Sequence, residues 1–313
     1  MLRARELGGG VSNRVVMVEA ASGCFVVKQS LDRLRVADEW LADRSRIFRE
    51  SRSLEDAARF LPAGAVPRVL WTDEANFLFA MSAAAPGAET WKAHLLAGRI
   101  DPGVAAAAGV LLGLLIRNTW GNPEMERRYG DQTAFDQLRL DPYYRTVARR
   151  RPRLAPAVDA LLAESSARRV SLVHGDWSPK NFLVAGGRVT AIDFEVIHYG
   201  DPSFDAAFCL NHFLLKCFRR PTDAGDYLAL ARVFWTWLAG LLPAAALEWF
   251  EGATVRHLGC LLAARIDGKS PVEYLLEPDL QQAVRETAEA MILEGGSRLE
   301  ACLERVHARV ARL

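Results

Sequence analysis

Hydrophobic periodicity divides the chain near residue 82. Before it, two β-branched runs, Arg14 to Glu19 and Cys24 to Gln29, flank a short Ser22-Gly23 turn, which predicts a hairpin. Asp38 to Phe60 carries apolar residues at helical spacing: Trp40, Leu41, Ile47, Phe48 and Leu54. Val66 to Trp71 and Asn76 to Met81 read as two further strands on either side of Thr72-Asp73-Glu74-Ala75. The small, breaker-containing run Ser82-Ala83-Ala84-Ala85-Pro86-Gly87 is the expected hinge.

Beyond the hinge the spacing is mostly helical. Asp101-Pro102 supplies a cap and a first-turn proline for a helix to about Trp120, and Leu154 to Arg168 is another. Val170 to His174 is a short strand. Phe182 to Val184 and Val189 to Asp193 form a hairpin across Ala185-Gly186-Gly187-Arg188. Residues 202–218, 222–241, 244–266 and 278–310 are helical. The pattern is α+β: a small antiparallel sheet with one main helix over 1–81, a hinge over 82–90 and a larger, mainly helical part over 91–313.

Composition narrows the function classes. Half of the 313 residues are hydrophobic, enough for a sizeable core and too many for a disordered chain. A net charge of +1 with 25% charged residues is too balanced for a dedicated nucleic-acid binder. The basic stretch Arg145 to Arg153, with five arginines, reads as a solvated helix face and loop. The five cysteines are odd in number and lack C-x-x-C spacing, which fits a reducing compartment and neither zinc nor a disulfide framework. Arg3, Arg5, Glu6 and the following glycines give no apolar signal region. Val104 to Ile116 is short for a bilayer span, and Arg232, Pro243 and Glu248 interrupt Tyr227 to Phe250. These features predict a cytoplasmic protein with no membrane or nucleic-acid partner; they leave its oligomeric state open.

The densest chemistry lies at His174-Gly175-Asp176-Trp177-Ser178-Pro179-Lys180-Asn181, with Asp193-Phe194-Glu195 twelve residues on. Phosphoryl transfer needs one carboxylate to orient the attacking hydroxyl and oxygen ligands to hold Mg²⁺ against the phosphates. Asp176 suits the first role; Asn181 and Asp193 suit the second. Glu195 shares a side with Asp193 if the strand continues, and then contacts the metal directly, supports it through another group, or faces solvent. Lys28, on an apolar strand, needs an anionic partner; Glu50 on the following helix is the choice, with Glu55 next. Gly8-Gly9-Gly10-Val11-Ser12-Asn13 is a candidate phosphate-covering turn, in which Gly10, Ser12 and Asn13 would meet ATP. Its adenine would lie against Met81, Ser82 and Ala83. Gly268-Lys269-Ser270 mimics the end of a Walker loop but lacks the upstream glycine, Ala263 standing there.

These motifs resemble the aminoglycoside phosphotransferase and choline kinase superfamily, which is protein-kinase-like and uses His-Gly-Asp in its catalytic loop. Gly200-Asp201-Pro202-Ser203-Phe204-Asp205 is similar to that superfamily's Gly-Asp-Pro-x-x-Asp stretch, whose last Asp braces the catalytic region. The likeness runs from Gly8 to about residue 280. Within the superfamily the chain is most similar to methylthioribose kinases, through Val27-Lys28-Gln29-Ser30-Leu31 with Leu34-Arg35-Val36, through Trp40 with Asp43-Arg44, through Asp193-Phe194-Glu195, and through Ala264-Arg265-Ile266-Asp267-Gly268. Ala264 stands where those enzymes have the first of two arginines, and Asn181 departs from their Gly-Ser. The resemblance implies a bilobal fold and an ATP- and Mg-dependent kinase acting on the hydroxyl of a small metabolite, sugar or thio-sugar like. Trp40, Trp177 and Arg265 would be substrate contacts. An aminoglycoside phosphotransferase, and a catalytically inactive nucleotide-binding scaffold, are the alternative readings.

Overall fold

A computed structural model describes residues 3–8, 13–21, 23–31, 44–294 and 298–313. It divides into two compact units, residues 1–89 with 183–195, and 90–182 with 196–313.

The first unit is built on an antiparallel five-stranded sheet in the order β1-β2-β3-β5-β4. The strands are β1 (Arg3–Leu7), β2 (Asn13–Ala20), β3 (Gly23–Ser30), β4 (Val69–Asp73) and β5 (Leu78–Ser82). The hairpin expected around Gly23 forms, with Val16 opposite Val27 and Val18 opposite Phe25. Strand β1 escapes sequence reading because its residues are polar and largely exposed at the sheet edge. Strand β4 starts three residues later than expected, after Pro67, which has no N–H to give a ladder. Helix α1 (Arg46–Phe60) packs on β3, β4 and β5 and buries Ile47, Leu54 and Ala57. Its expected beginning at 38–43 lies outside the described residues. Residues 183–195 join this unit: Ala191 N donates to Ala65 O at 2.7 Å and Thr190 Oγ1 to Gly64 O at 2.9 Å.

The second unit is mainly helical. Helix Pro102–Thr119 is capped as expected, Gly103 N donating to Asp101 Oδ1 at 2.8 Å. It is long and apolar enough to cross a membrane by length and composition, a test that the core helix of a water-soluble fold also passes. It packs against helix Ala224–Ala239 so closely that a Cβ on Gly109 would lie 2.4 Å from Phe234 O. Helix Ser203–Arg219 is almost wholly buried, with helix Phe250–Asp267 against it.

Two helical expectations are corrected and one element is added. The 244–266 segment makes one 3₁₀ turn after Pro243 and begins its α-helix only at Phe250. The 278–310 segment is two helices, Pro278–Glu294 and Leu299–Val310. Asp136–Arg145, given no element from sequence, is a π-helix; Pro142 inside it cannot donate to an α-helical ladder.

Candidate functional site

In the first unit, strand β3 delivers Lys28 to a largely buried position, 6% exposed. A buried ammonium needs counter-charge, and Lys28 has two: Glu50 Oε1 at 2.7 Å and Asp193 Oδ1 at 2.9 Å. Glu50 is the partner expected from helical spacing. Burial opposes the charge on Lys28, but Asp193, Glu50 and Glu195 outweigh it and hold the ammonium well above the usual lysine range. Burial pushes Glu50 up to about 7; Lys28 opposes this, and the negative Asp193 and Glu195 add to it.

The strand does not continue to Glu195. It ends at Ala191, and Asp193 has φ 70°, a left-handed conformation uncommon for any residue but glycine. The side-alternation argument therefore fails, yet the turn still gathers the acids. One carboxylate oxygen from each of Glu50, Asp193 and Glu195 lies within 4.8 Å of the others. Asn13 Nδ2 donates to Glu195 Oε2 at 3.4 Å. Three acids thus surround one ammonium.

In the second unit, strand Ser171–Val173 leads into the His-Gly-Asp loop. Gly175 has φ 78°, and a Cβ there would meet Val196 O at 3.0 Å. Glycine is thus required on both conformational and spatial grounds. Asp205, at the start of helix Ser203–Arg219, accepts from His174 N at 2.6 Å and Gly175 N at 2.9 Å. Burial pushes its carboxyl up to about 7, against those two N–H groups. This is the bracing implied by the Gly-Asp-Pro-x-x-Asp resemblance.

Asp176 is 1% exposed. Its Oδ2 meets Lys180 Nζ at 2.8 Å and Arg139 Nη2 at 2.9 Å, and its Oδ1 accepts from Ser178 Oγ at 3.1 Å. Burial alone would raise its pKa, but Lys180 and Arg139 prevail and hold the carboxyl well below the usual range. Asn181 Nδ2 donates to Asp176 O at 3.0 Å, which leaves Oδ1 as the amide's acceptor.

Of the remaining candidates, Met81 and Ser82 end strand β5, opposite Val26 and Phe25, and Ala83 follows them. Trp177 is fully buried, edge-on to His174 and Phe182. Arg265 is half-buried and bonds Tyr143 Oη and Ser270 Oγ. Gly10, Ser12 and Trp40 lie outside the described residues. Arg139 was missed because nothing in its local sequence sets it apart. Lys180 was legible, being four residues from Asp176 on a single turn.

The comparisons with known proteins agree with these motifs. The model of the phosphotransferase enzyme family matches residues 3–231. A methylthioribose kinase of Yersinia enterocolitica is 29% identical over 269 residues, covering 74% of this chain and 64% of that protein. Methylthioribose kinase 2 of Oryza sativa subsp. japonica is 26% identical over 253 residues, covering 71% and 58%. The chain thus spans less than two thirds of the length of these relatives. Among solved structures, the amicoumacin kinase hAmiN in complex with AMP-PNP, Ca²⁺ and Ami superposes with a TM-score of 0.58 at 14% identity, covering 95% of this chain and 90% of that one. An ethanolamine kinase of Plasmodium vivax gives 0.52 at 12% identity, covering 99% and 82%. Both likenesses are of fold: α+β and protein-kinase-like. With its model matched over most of the chain, the phosphotransferase enzyme family is the one to which this protein belongs.

Proposed function

We propose that the chain transfers the γ-phosphoryl group of ATP to a hydroxyl of a small metabolite, with Mg²⁺ bound. The observation that supports this most strongly is the trio Glu50, Asp193 and Glu195 around the buried Lys28, with carboxylate oxygens within 4.8 Å of one another. The trio suits a divalent cation on two counts. Its donors are hard oxygens, and Glu50 Oε2 is buried with no hydrogen-bond partner. Asn181, Asp193 and Glu195 would hold the ion. Bound there, Mg²⁺ supplies neutralisation of charge on the phosphate oxygens.

The other roles follow from the side chains. Lys28, braced by Glu50, would hold the phosphates, Gly10, Ser12 and Asn13 would also meet ATP, and the adenine would lie against Met81, Ser82 and Ala83. Asp176 would orient the acceptor hydroxyl. The new O–Pγ bond forms as the bond to the β-bridging oxygen breaks, ADP leaves, and the hydroxyl proton passes to Asp176. A carboxylate held so firmly ionised is a weak base. That suits a loose transition state, in which orientation matters more than early proton removal. The acceptor would lie over Trp177 to Lys180 in a cytoplasmic enzyme. The relatives named as methylthioribose kinases favour a sugar or thio-sugar, with Trp40, Trp177 and Arg265 shaping its site.

The test is a coupled ADP-release screen of sugars, thio-sugars, amino alcohols and aminoglycosides, run with Asp193→Ala alongside. Acceptor-dependent ADP release that Asp193→Ala abolishes is the expected result. ATP binding without release for any acceptor would replace the enzyme reading with that of a nucleotide-binding scaffold.

A further inference from the structure

Helix Ser203–Arg219 does more than brace the catalytic loop. Asp205, Cys209, His212, Lys216 and Arg219 recur three and four residues apart, so they form one stripe leading away from that loop. Near its far end Lys216 is 1% exposed, its Nζ donating to His212 O at 3.1 Å and lying 5.1 Å over the ring of Tyr274. Arg265 faces the same group of residues. Its Nη1 bonds Tyr143 Oη at 3.3 Å and Ser270 Oγ at 3.2 Å, and its Nε is buried without a partner. Tyr274 Oη is likewise buried and unbonded.

Among the described residues neither Lys216 nor Arg265 has a carboxylate at ion-pair distance. Glu273, an acid that acts on Lys216, is drawn off by Lys92 at 2.5 Å. Burial, with Lys92 adding to it, lowers Lys216 to about 7, and Glu273 compensates only in part. Burial holds His212 neutral, with Lys216 and Arg265 reinforcing the effect. A buried lysine without a carboxylate partner gives up its proton more readily, and an anion bound beside it would restore the charge.

We propose that Lys216, His212, Arg265 and Tyr274 form an anion-binding subsite of the acceptor pocket, so that the acceptor is a hydroxyl compound that also carries a carboxylate or a phosphate. The proposal rests on the phosphotransfer reading above. The stripe begins at Asp205, which holds the backbone of the Asp176 loop, and Asp176 and Lys180 both act electrostatically on His212, so the subsite borders the catalytic loop. A polycation would meet Lys216, Arg265 and Lys180, while Glu273 is already paired with Lys92 and Asp176 with Lys180 and Arg139, and is therefore a poor acceptor.

The test is ADP release from Mg-ATP by the whole chain with matched acceptors. D-gluconate and D-glucitol differ in charge but hardly in hydroxyls, glucose 6-phosphate represents the phosphate source, and kanamycin is the polycation. The anionic members should be preferred in kcat/KM by about 10- to 100-fold, the worth of one or two charge-assisted hydrogen bonds. Lys216→Met should raise the KM of the anionic acceptor by a similar factor and leave the KM for ATP unchanged. Arg265→Met, at a less buried position, gives the same reading if Lys216→Met fails to fold. Whichever anion is preferred tells carboxylate from phosphate. A preference for glucitol or kanamycin, or an anion KM indifferent to both substitutions, overturns the subsite and leaves phosphotransfer standing. No ADP release with any acceptor removes the phosphotransfer reading and the subsite with it.

Discussion

Replacing Lys28 with methionine keeps the length of the side chain and deletes its charge. Lys28 lies 2.7 Å from Glu50 Oε1 and 2.9 Å from Asp193 Oδ1, and Glu50 is only 2% exposed. Breaking a buried pair by removing one partner costs about 3–5 kcal/mol. Part of that cost depends on pH, with a sign that can be worked out. Burial already raises Glu50 from 4.5 to about 7, with Lys28 the group that holds it down. Without Lys28 the carboxyl climbs further. A carboxyl that keeps its proton longer in the folded chain than in the unfolded one disfavours folding increasingly as pH rises from its unfolded to its folded pKa. Each added unit is worth about 1.4 kcal/mol. Near pH 6 Glu50 is mostly protonated in both proteins. Near pH 8 it is ionised in the wild type and still protonated in the variant. Lys28→Met should therefore cost up to about 1.4 kcal/mol more near pH 8 than near pH 6. Urea denaturation with a chelator present, in a double-mutant cycle with Glu50→Gln, measures this, and the second substitution should erase the pH-dependent part. A cost below about 1 kcal/mol, or one equal at both pH values, would refute the reasoning.

Three other outcomes follow. Arg139→Met should lower kcat by about 10- to 100-fold and move the acid limb of the pH–rate profile to higher pH, because Arg139 helps to keep Asp176 ionised; an unmoved limb would deny it that role. Asp205, raised by burial from 3.8 to about 7, should make the wild type lose at most about 4 kcal/mol of stability as pH rises between those values. Asp205→Asn should flatten that slope in urea titrations at several pH values, and an unchanged slope would assign it elsewhere. Gly109→Ala places a methyl group 2.4 Å from Phe234 O and should destabilise by about 1–3 kcal/mol; an unchanged melting temperature would mean that the two helices part easily.

What could be read in the sequence was what short-range rules govern. The β2–β3 hairpin, the Asp101-Pro102 helix start and the His174-Gly175-Asp176 loop each announce themselves through spacing or local conformational demand. The pairing of Lys28 with Glu50 was also within reach, since an apolar strand lysine needs an acid and the next helix offers few. Tertiary chemistry was not legible. Arg139 reaches Asp176 from a π-helix that holds a proline, and no periodicity encodes that. Glu195 joins the acid trio through the left-handed turn at Asp193, where strand alternation predicts only a continuing ladder. Edge strand β1 is too polar for a pattern that looks for burial, and the stripe His212–Lys216 hides within an apolar helix, where burial makes it chemically unusual.

The claim on which the account depends is that Asp176 and Asp193 both serve the phosphoryl transfer proposed above. Rapid-quench measurement of ADP formation from Mg-ATP and a turned-over acceptor, for the wild type, Asp176→Asn and Asp193→Ala, tests it most directly. The account predicts that Asp176→Asn still binds Mg-ATP but forms ADP about 10²- to 10⁴-fold more slowly, and that Asp193→Ala loses both nucleotide-linked metal binding and turnover. ADP formation at the wild-type rate in either variant would contradict it.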